Sequence, residues 1–416
     1  MTYLVQSEIA RSPDRAGRTR VEDAAAWIDA NLAPLPAEDV PLADAAGRIL
    51  AEDVQAAINV PAFDRAVADG FALRADETVG AGSYNPIPFR PGPAADHLAA
   101  GCAVRVNAGD PLPHGADAVA ALEQCADNAG GSVTLIAAVA PGALVERAGN
   151  QAARGSRLAA SGRRLRPVDI GLLASTGLVR VPTIRRPRVL CLLTGRSAIP
   201  AGIPLSFGAV HNANGPLLCA LIERDGGLPM EPQRVDRALT SIRSALAQSG
   251  ADIVLVAGST GPGPDDHAAA ALAAAGELAI HGIALRPGDT AGIGRTAAGV
   301  PVALLPGTPA ACLWTYEFLA GRAIRRLGGR NPALPFPSRR MTAARKIVSE
   351  IGMTEVCPVQ CSKDGTAAPI ASFAEAGLMA AVRADGFVVV PEGREGYPQG
   401  AVVTVYLYDA DGAVSA

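Results

Sequence analysis

The chain contains no apolar run of the ~18 residues that a membrane span requires. Nothing at its start reads as a signal peptide. It also lacks a basic excess: 37 Lys and Arg face 40 Asp and Glu, a formal net charge of -3. A global field for nucleic acid is therefore excluded. Paired-cysteine spacing is missing too. Seven cysteines, an odd number, argue for reduced thiols and a cytoplasmic setting. Cys357 and Cys361 lie close together, but no His or second Cys pair accompanies them, so the spacing does not indicate a zinc site. The most glycine-rich loop, from Gly258, is neither a Walker loop nor a Rossmann fingerprint.

What is present is a chain of 416 residues, too long for one core. Residues 20–50 and 140–183 show helical spacing (VEDAAAWIDANLA, LADAAGRILA, PVDIGLLASTG) and predict a split helical linker domain. Residues 51–139 break into short β-like runs divided by Gly, Pro and Asn, as expected of a β-rich insertion. Residues 336–416 carry period-two segments (GFVVVPEG, AVVTVYLY) that predict a small terminal β domain.

Residues 184–330 give the clearest architecture. VLCLLTG, DIVLVAG and VPVALLPG are continuous apolar runs closing on glycine, suited to parallel strands covered on both faces. Helix-like segments alternate with them, predicting a doubly wound α/β domain. Ligands of such sheets bind at the carboxyl ends of the strands. The loops Thr194-Gly195, Gly258 to Asp266 and Gly307-Thr308-Pro309 fall there.

The composition of these loops suggests their chemistry. Glycine turns and helix starts present backbone amides that hold phosphate or molybdate. Asn214 is positioned as a helix N-cap beside such a site. Ser259 and Thr260 lie in the most permissive loop, and Asp265 and Asp266 end it with hard oxygen ligands suited to Mg²⁺, or with an ordinary solvated helix start. Arg286 can fork onto an anionic group or form a structural ion pair. Upstream, the segment PAFDRAVADGFAL places Asp64 and Asp69 around a turn ending in Gly70.

That segment resembles the PxFDxSAMDGYA signature of the molybdopterin molybdenumtransferase family, MoeA in bacteria and the E domain of gephyrin in animals. Further resemblances follow in the family's order: NAGDPLPHGADAVAALE, GRRLRPVDIGLLASTG, RRPRVLCLLTG, NANG, ADIVLVAGSTGPGPDD, GIALRPG and LPGTPAA. They span about Ala24 to Leu407. The resemblance implies an α/β multi-domain fold with a MogA-like domain, a β-rich insertion, a split helical domain and a C-terminal β-barrel. It also implies an elongated homodimer that binds adenylylated molybdopterin and inserts molybdate with the help of Mg²⁺. By carry-over, Asp69, Asp266 and Asp64 are the catalytic candidates, with Asp69 and Asp266 facing the metal across the dimer. Thr194, Gly195, Asn214, Gly258, Ser259, Thr260, Arg286, Gly307 and Thr308 are the molybdopterin-binding candidates.

Departures from the family pattern gather where the chemistry belongs. TGDE reads Thr194-Gly195-Arg196-Ser197, GED reads Gly149-Asn150-Gln151 and DSN reads Asn212-Ala213-Asn214. In GGVSxGxxD the serine is Gly261, while the final acid survives as Asp266. The PGKP lysine is Asp289, LPGNP carries Thr308, and the terminal-domain serine is Ala380. Asp69, Asp117, Glu123 and Asp252 also survive. An amide keeps a hydrogen bond but cannot act as a base, and losing one general base costs ~10²–10⁴ in rate. Two roles are therefore expected as alternatives: a molybdenumtransferase, or a catalytically weakened paralogue that binds molybdopterin and delivers it to an apo-molybdoenzyme.

Overall fold

The three continuous apolar runs become neighbouring parallel strands, Arg188–Thr194, Ile253–Ala257 and Pro301–Leu305, in register from Leu190 through Val254 to Val302. Their side chains alternate between two covered faces. Val189, Cys191, Leu193, Leu255, Ala303 and Leu305 share a core with the helices Val21–Asn31 and Asn214–Arg224 and the helical stretch 309–327. Leu190, Leu192, Val254, Val256, Val302 and Leu304 pack instead with the helices Leu239–Ala247 and Ala268–Ala275. Burial on both sides explains why these strands read as unbroken apolar runs.

This computed structural model describes residues 17–92, 97–127, 132–195, 198–199, 202–370 and 377–409. The sheet runs Leu228–Pro229, Arg188–Thr194, Ile253–Ala257, Pro301–Leu305, Gly292–Thr296, Gly276–His281, with Gln233–Val235 beside the end of Arg188–Thr194. The last two strands of that order pair antiparallel, so the sheet is mixed at one edge.

The chain divides into two compact units, Glu38–Thr183 and the remainder. Within the larger unit the C-terminal strands Ser338–Ala343, Thr354–Cys361, Thr366–Pro369, Gly386–Val390 and Val402–Leu407 form the expected β structure. Thr354–Cys361 pairs with both Thr366–Pro369 and Gly386–Val390, and this closes them into a small barrel. Its interior is filled by Met341, Val359, Val388, Val403 and Val405.

The smaller unit carries the β-rich insertion. Six strands run Ala118–Ala121, Gly70–Leu73, Cys102–Val106, Ile87–Pro91, Val133–Leu135, Cys125–Asp127. The helix Pro167–Ser175 forms as expected, with proline at its first turn.

Two local expectations need correction. The helix Val21–Asn31 belongs to the larger unit, apart from the rest of the expected split helical domain: its buried Val21, Ala24 and Ile28 join the α/β core, and Asp29 pairs with Arg322. LADAAGRILA is not a helix but a single tight turn, Leu42–Asp44. Gly47 takes φ 77°. The amides of Gly47 and Leu50 bond to the carbonyls of Leu165 and Arg163, so this backbone pairs across the chain rather than with itself.

Candidate functional site

At the carboxyl ends of the parallel strands, three loops come within van der Waals contact. Gly258 follows Ile253–Ala257 with φ 99°, and a Cβ there would lie 2.6 Å from Thr194 Oγ1 and 3.8 Å from the Gly307 Cα. Glycine is thus required both by the dihedral and by the close approach. Thr194 Oγ1 donates to the Ala257 carbonyl at 3.1 Å, tying two strand ends together. Gly195 turns away at φ 126° with its amide on the Val235 carbonyl.

Asn214 is the first residue of its helix, and its Nδ2 donates to the Gly307 carbonyl at 2.9 Å. The N-cap position is therefore Ala213 and not Asn214; from the residue before it, the Asn212 Oδ1 accepts from the Gly215 amide at 3.1 Å. The Asn214 Oδ1 is buried with no hydrogen-bond partner. Thr308 is exposed at the start of the helix Pro309–Thr315 and makes no side-chain cap.

The loop after Gly258 is held from behind. Thr260 Oγ1 lies 2.9 Å from Thr290 Oγ1, and the Thr260 carbonyl is 3.0 Å from His281 Nε2. Burial pushes the His281 imidazole below its ordinary value, against the pull of the Thr260 and Thr290 carbonyls. Ser259 takes φ 55° and is 7% exposed. Asp266 closes the loop, its Oδ2 resting against Gly261 and Gly263, where added Cβ atoms would stand 2.7 and 3.0 Å away.

Other candidates are already engaged. Arg286 donates to Glu350 at 2.6 Å and to Glu355 at 3.2 Å, the structural ion pair rather than an open anion fork. Asp289 pairs with Arg18 at 2.8 Å. In the smaller unit, Asp64 accepts from the Ala148 amide at 2.7 Å and from Arg147 at 2.6 Å, and these bonds hold its carboxyl below the ordinary range. Asp69 is exposed and uses only one oxygen, accepting from the Ala108 amide at 2.8 Å. Among the surviving acids, Asp252 binds Arg185 bidentately and Asp117 accepts from the Ala75 amide, so both hold structure. Ala380 is buried in the helix Leu378–Arg383. Arg196 and Ser197 lie outside the described residues.

Sequence reasoning missed three groups. Gln151 donates to Glu146 at 2.7 Å, and Arg65 grips the same carboxylate, so an acid still stands beside an amide where the family motif has acids. Arg237, in a stretch that carries no motif, lays its guanidinium 3.7 Å from where a Gly195 Cβ would be. His281 sits behind Thr260 in an otherwise ordinary strand. The grip of Arg65 on Glu146, the approach of Arg237 to Gly195 and the contact of His281 with Thr260 each span tens of residues.

No cluster of three or more His, Cys, Asp or Glu able to hold a metal occurs among the described residues. Mg²⁺ commonly takes only one or two carboxylates and completes its shell with substrate phosphate and water. Neither the Asp69 nor the Asp266 carboxylate forms an ion pair with a cationic side chain among the described residues, whereas Asp64 is held by Arg147.

A glycine-lined carboxyl edge on a doubly wound sheet, with a closed terminal barrel and a β-rich insertion, defines a multi-domain α/β architecture. Three family models identify it further: the MoeA N-terminal region (domain I and II) over residues 19–177, a "probable molybdopterin binding domain" over 191–326 and the MoeA C-terminal region (domain IV) over 340–408. The chain belongs to the MoeA family. It is 31% identical to molybdopterin molybdenumtransferase 2 of Mycobacterium tuberculosis (strain CDC 1551 / Oshkosh) over 331 residues, 73% of this chain and 79% of that one. It is 28% identical to the molybdopterin molybdenumtransferase of Staphylococcus aureus (strain MRSA252) over 408 residues, 91% and 93% of the two chains. The crystal structure of the molybdopterin biosynthesis MoeA protein from Pyrococcus horikosii matches with a TM-score of 0.78 at 28% identity, covering 94% of this chain and all of that one.

Proposed function

We propose that this protein acts in molybdenum cofactor biosynthesis by binding adenylylated molybdopterin at the carboxyl edge of its α/β sheet and inserting molybdate. The observation that carries the reading is the meeting of Thr194, Gly258 and Gly307, with Asn214 bonded to the Gly307 carbonyl. Such a glycine-lined surface lets a ligand's oxyanion approach the backbone closely. The family match to a molybdopterin binding domain over this same region supports the assignment. A pure delivery role is not favoured, since relatives matched along nearly the whole chain carry the transferase name.

In this reading Gly195, Gly258, Ser259, Thr260 and Thr308 surround the phosphate-bearing part of the ligand. Asp69 of one subunit and Asp266 of the other would together hold Mg²⁺, which when bound supplies charge neutralisation for cleavage of the adenylate. The same carboxylates orient the attacking water, a role that Asn150, Gln151 and Asn212 cannot share. We propose a homodimer working in the cytoplasm, with an apo-molybdoenzyme as consumer of the product. Among the described residues, no helix is long and apolar enough to cross a membrane. The test is direct: purified protein is titrated with molybdopterin, then assayed for molybdate insertion from the adenylylated form. Absence of molybdopterin binding contradicts the proposal. A solution mass of one chain at micromolar concentration contradicts the dimer.

A further inference from the structure

Ser259 bears two costs at once in the free protein. Its φ of 55° lies in the left-handed region, which strains any residue with a Cβ. Its hydroxyl is buried with no hydrogen-bond partner. Glycine at this position would avoid both. The backbone itself is fixed: the Ser259 carbonyl accepts from the Ala268 amide at 2.9 Å, and the preceding Gly258 is pressed between Thr194 and Gly307.

Two residues further on, the loop carries no hydroxyl. A Cβ at Gly261 would stand 2.7 Å from Asp266 Oδ2, and one at Gly263 would stand 3.0 Å from the same oxygen. The position where the family motif carries serine is glycine here, with the Asp266 carboxylate beside it. The loop's remaining buried and unsatisfied hydroxyl is the strained one.

We propose that the Ser259 hydroxyl is the donor by which this loop grips a tetrahedral oxyanion, in place of the serine absent at Gly261. The inference rests on the carboxyl edge being the ligand site, as argued above. The oxyanion comes either from the phosphate of the pterin or from molybdate, and the two share the acceptor chemistry that a serine hydroxyl and backbone amides recognise. An unpartnered hydroxyl that costs stability in the free protein recovers that cost when an anion completes its hydrogen bond.

Thermal melts and equilibrium titrations with inorganic phosphate, molybdate and molybdopterin test this on wild type, Ser259→Gly and Ser259→Ala. Without anion, Ser259→Gly is expected to melt about 2–4 °C above wild type, because the left-handed strain is relieved. Ser259→Ala keeps the strain and gains no such increment. Both variants should bind the recognised anion about tenfold more weakly, the loss of one hydrogen bond to a charged group. A Ser259-dependent phosphate response identifies the pterin phosphate as the partner, and a Ser259-dependent molybdate response identifies the second substrate. Unchanged anion affinity in both variants, or a wild-type protein that responds to neither ion, overturns the inference. Failure of the wider functional reading looks different: the wild type would bind phosphate through Ser259 yet bind no molybdopterin.

Discussion

The Nδ2 of Asn214 donates to the carbonyl of Gly307 at 2.9 Å, joining the start of one helix to the loop after a strand 93 residues away. The bond couples two of the segments that line the candidate site. Asn214→Ala breaks it and exposes the Gly307 loop to movement. We expect molybdopterin affinity to fall about tenfold, the equivalent of one hydrogen bond in a desolvated site. Isothermal titration against wild type measures it, and an affinity within a factor of two would remove Asn214 from the site.

Arg237 supplies a second handle. Its guanidinium lies beside Gly195, and the side chain is exposed. An exposed cation acts on a ligand through a screened field. Arg237→Ala should weaken molybdopterin binding several-fold at low ionic strength, and the difference should shrink as salt rises. A salt-independent loss would point to a fold defect instead.

His281 gives the site a pH signature. Burial depresses its native pKa below the ordinary 6.5, so the unfolded chain binds the proton more tightly than the native one. Its contribution to stability is therefore full above pH ~6.5 and declines as pH falls from there towards the native pKa. Urea midpoints between pH 5 and 8 should show this slope in wild type, and His281→Gln should lose it. An unchanged slope in the variant would assign the acid sensitivity to other groups.

The central parallel strands and the location of the loops were legible because burial on both faces leaves a continuous apolar run that periodicity cannot disguise. VLCLLTG needs no partner to announce itself. The terminal β strands and the β-rich insertion were legible through alternation and turn residues, whereas closure of the terminal strands into a barrel was implied only by the family resemblance. Hydrogen-bond partners were not. Asn212 and Asn214 stand two apart, both good caps by residue type, and only the backbone shows that Asn212 receives the Gly215 amide. Arg286 sits on the same footing: its carboxylate partners, Glu350 and Glu355, lie more than sixty residues away. LADAAGRILA misled because its small apolar residues suit a helix, whereas its amides pair with residues 163–165.

Charge restoration probes the lost acids. Arg196→Asp combined with Ser197→Glu restores the acidic motif after Gly195. Carboxylates hold Mg²⁺ more firmly than a hydroxyl does and repel no cation. Turnover of adenylylated molybdopterin and its response to Mg²⁺ should rise together. A variant that folds and binds molybdopterin as wild type does, yet gains neither, would show that these positions do not limit the reaction.

The account stands most directly on one measurement, molybdopterin affinity in wild type and in Gly307→Val. Gly307 is exposed with no left-handed requirement, and its added Cβ would meet only the Gly258 Cα, at 3.3 Å. The valine side chain adds bulk at the junction of the three loops, and the Gly258 backbone must give by a few tenths of an ångström to admit it. We predict that wild type binds molybdopterin, and that Gly307→Val melts within a few degrees of it while losing about a hundredfold or more in affinity. Equal affinity in the two proteins would place the ligand elsewhere and contradict the proposed site.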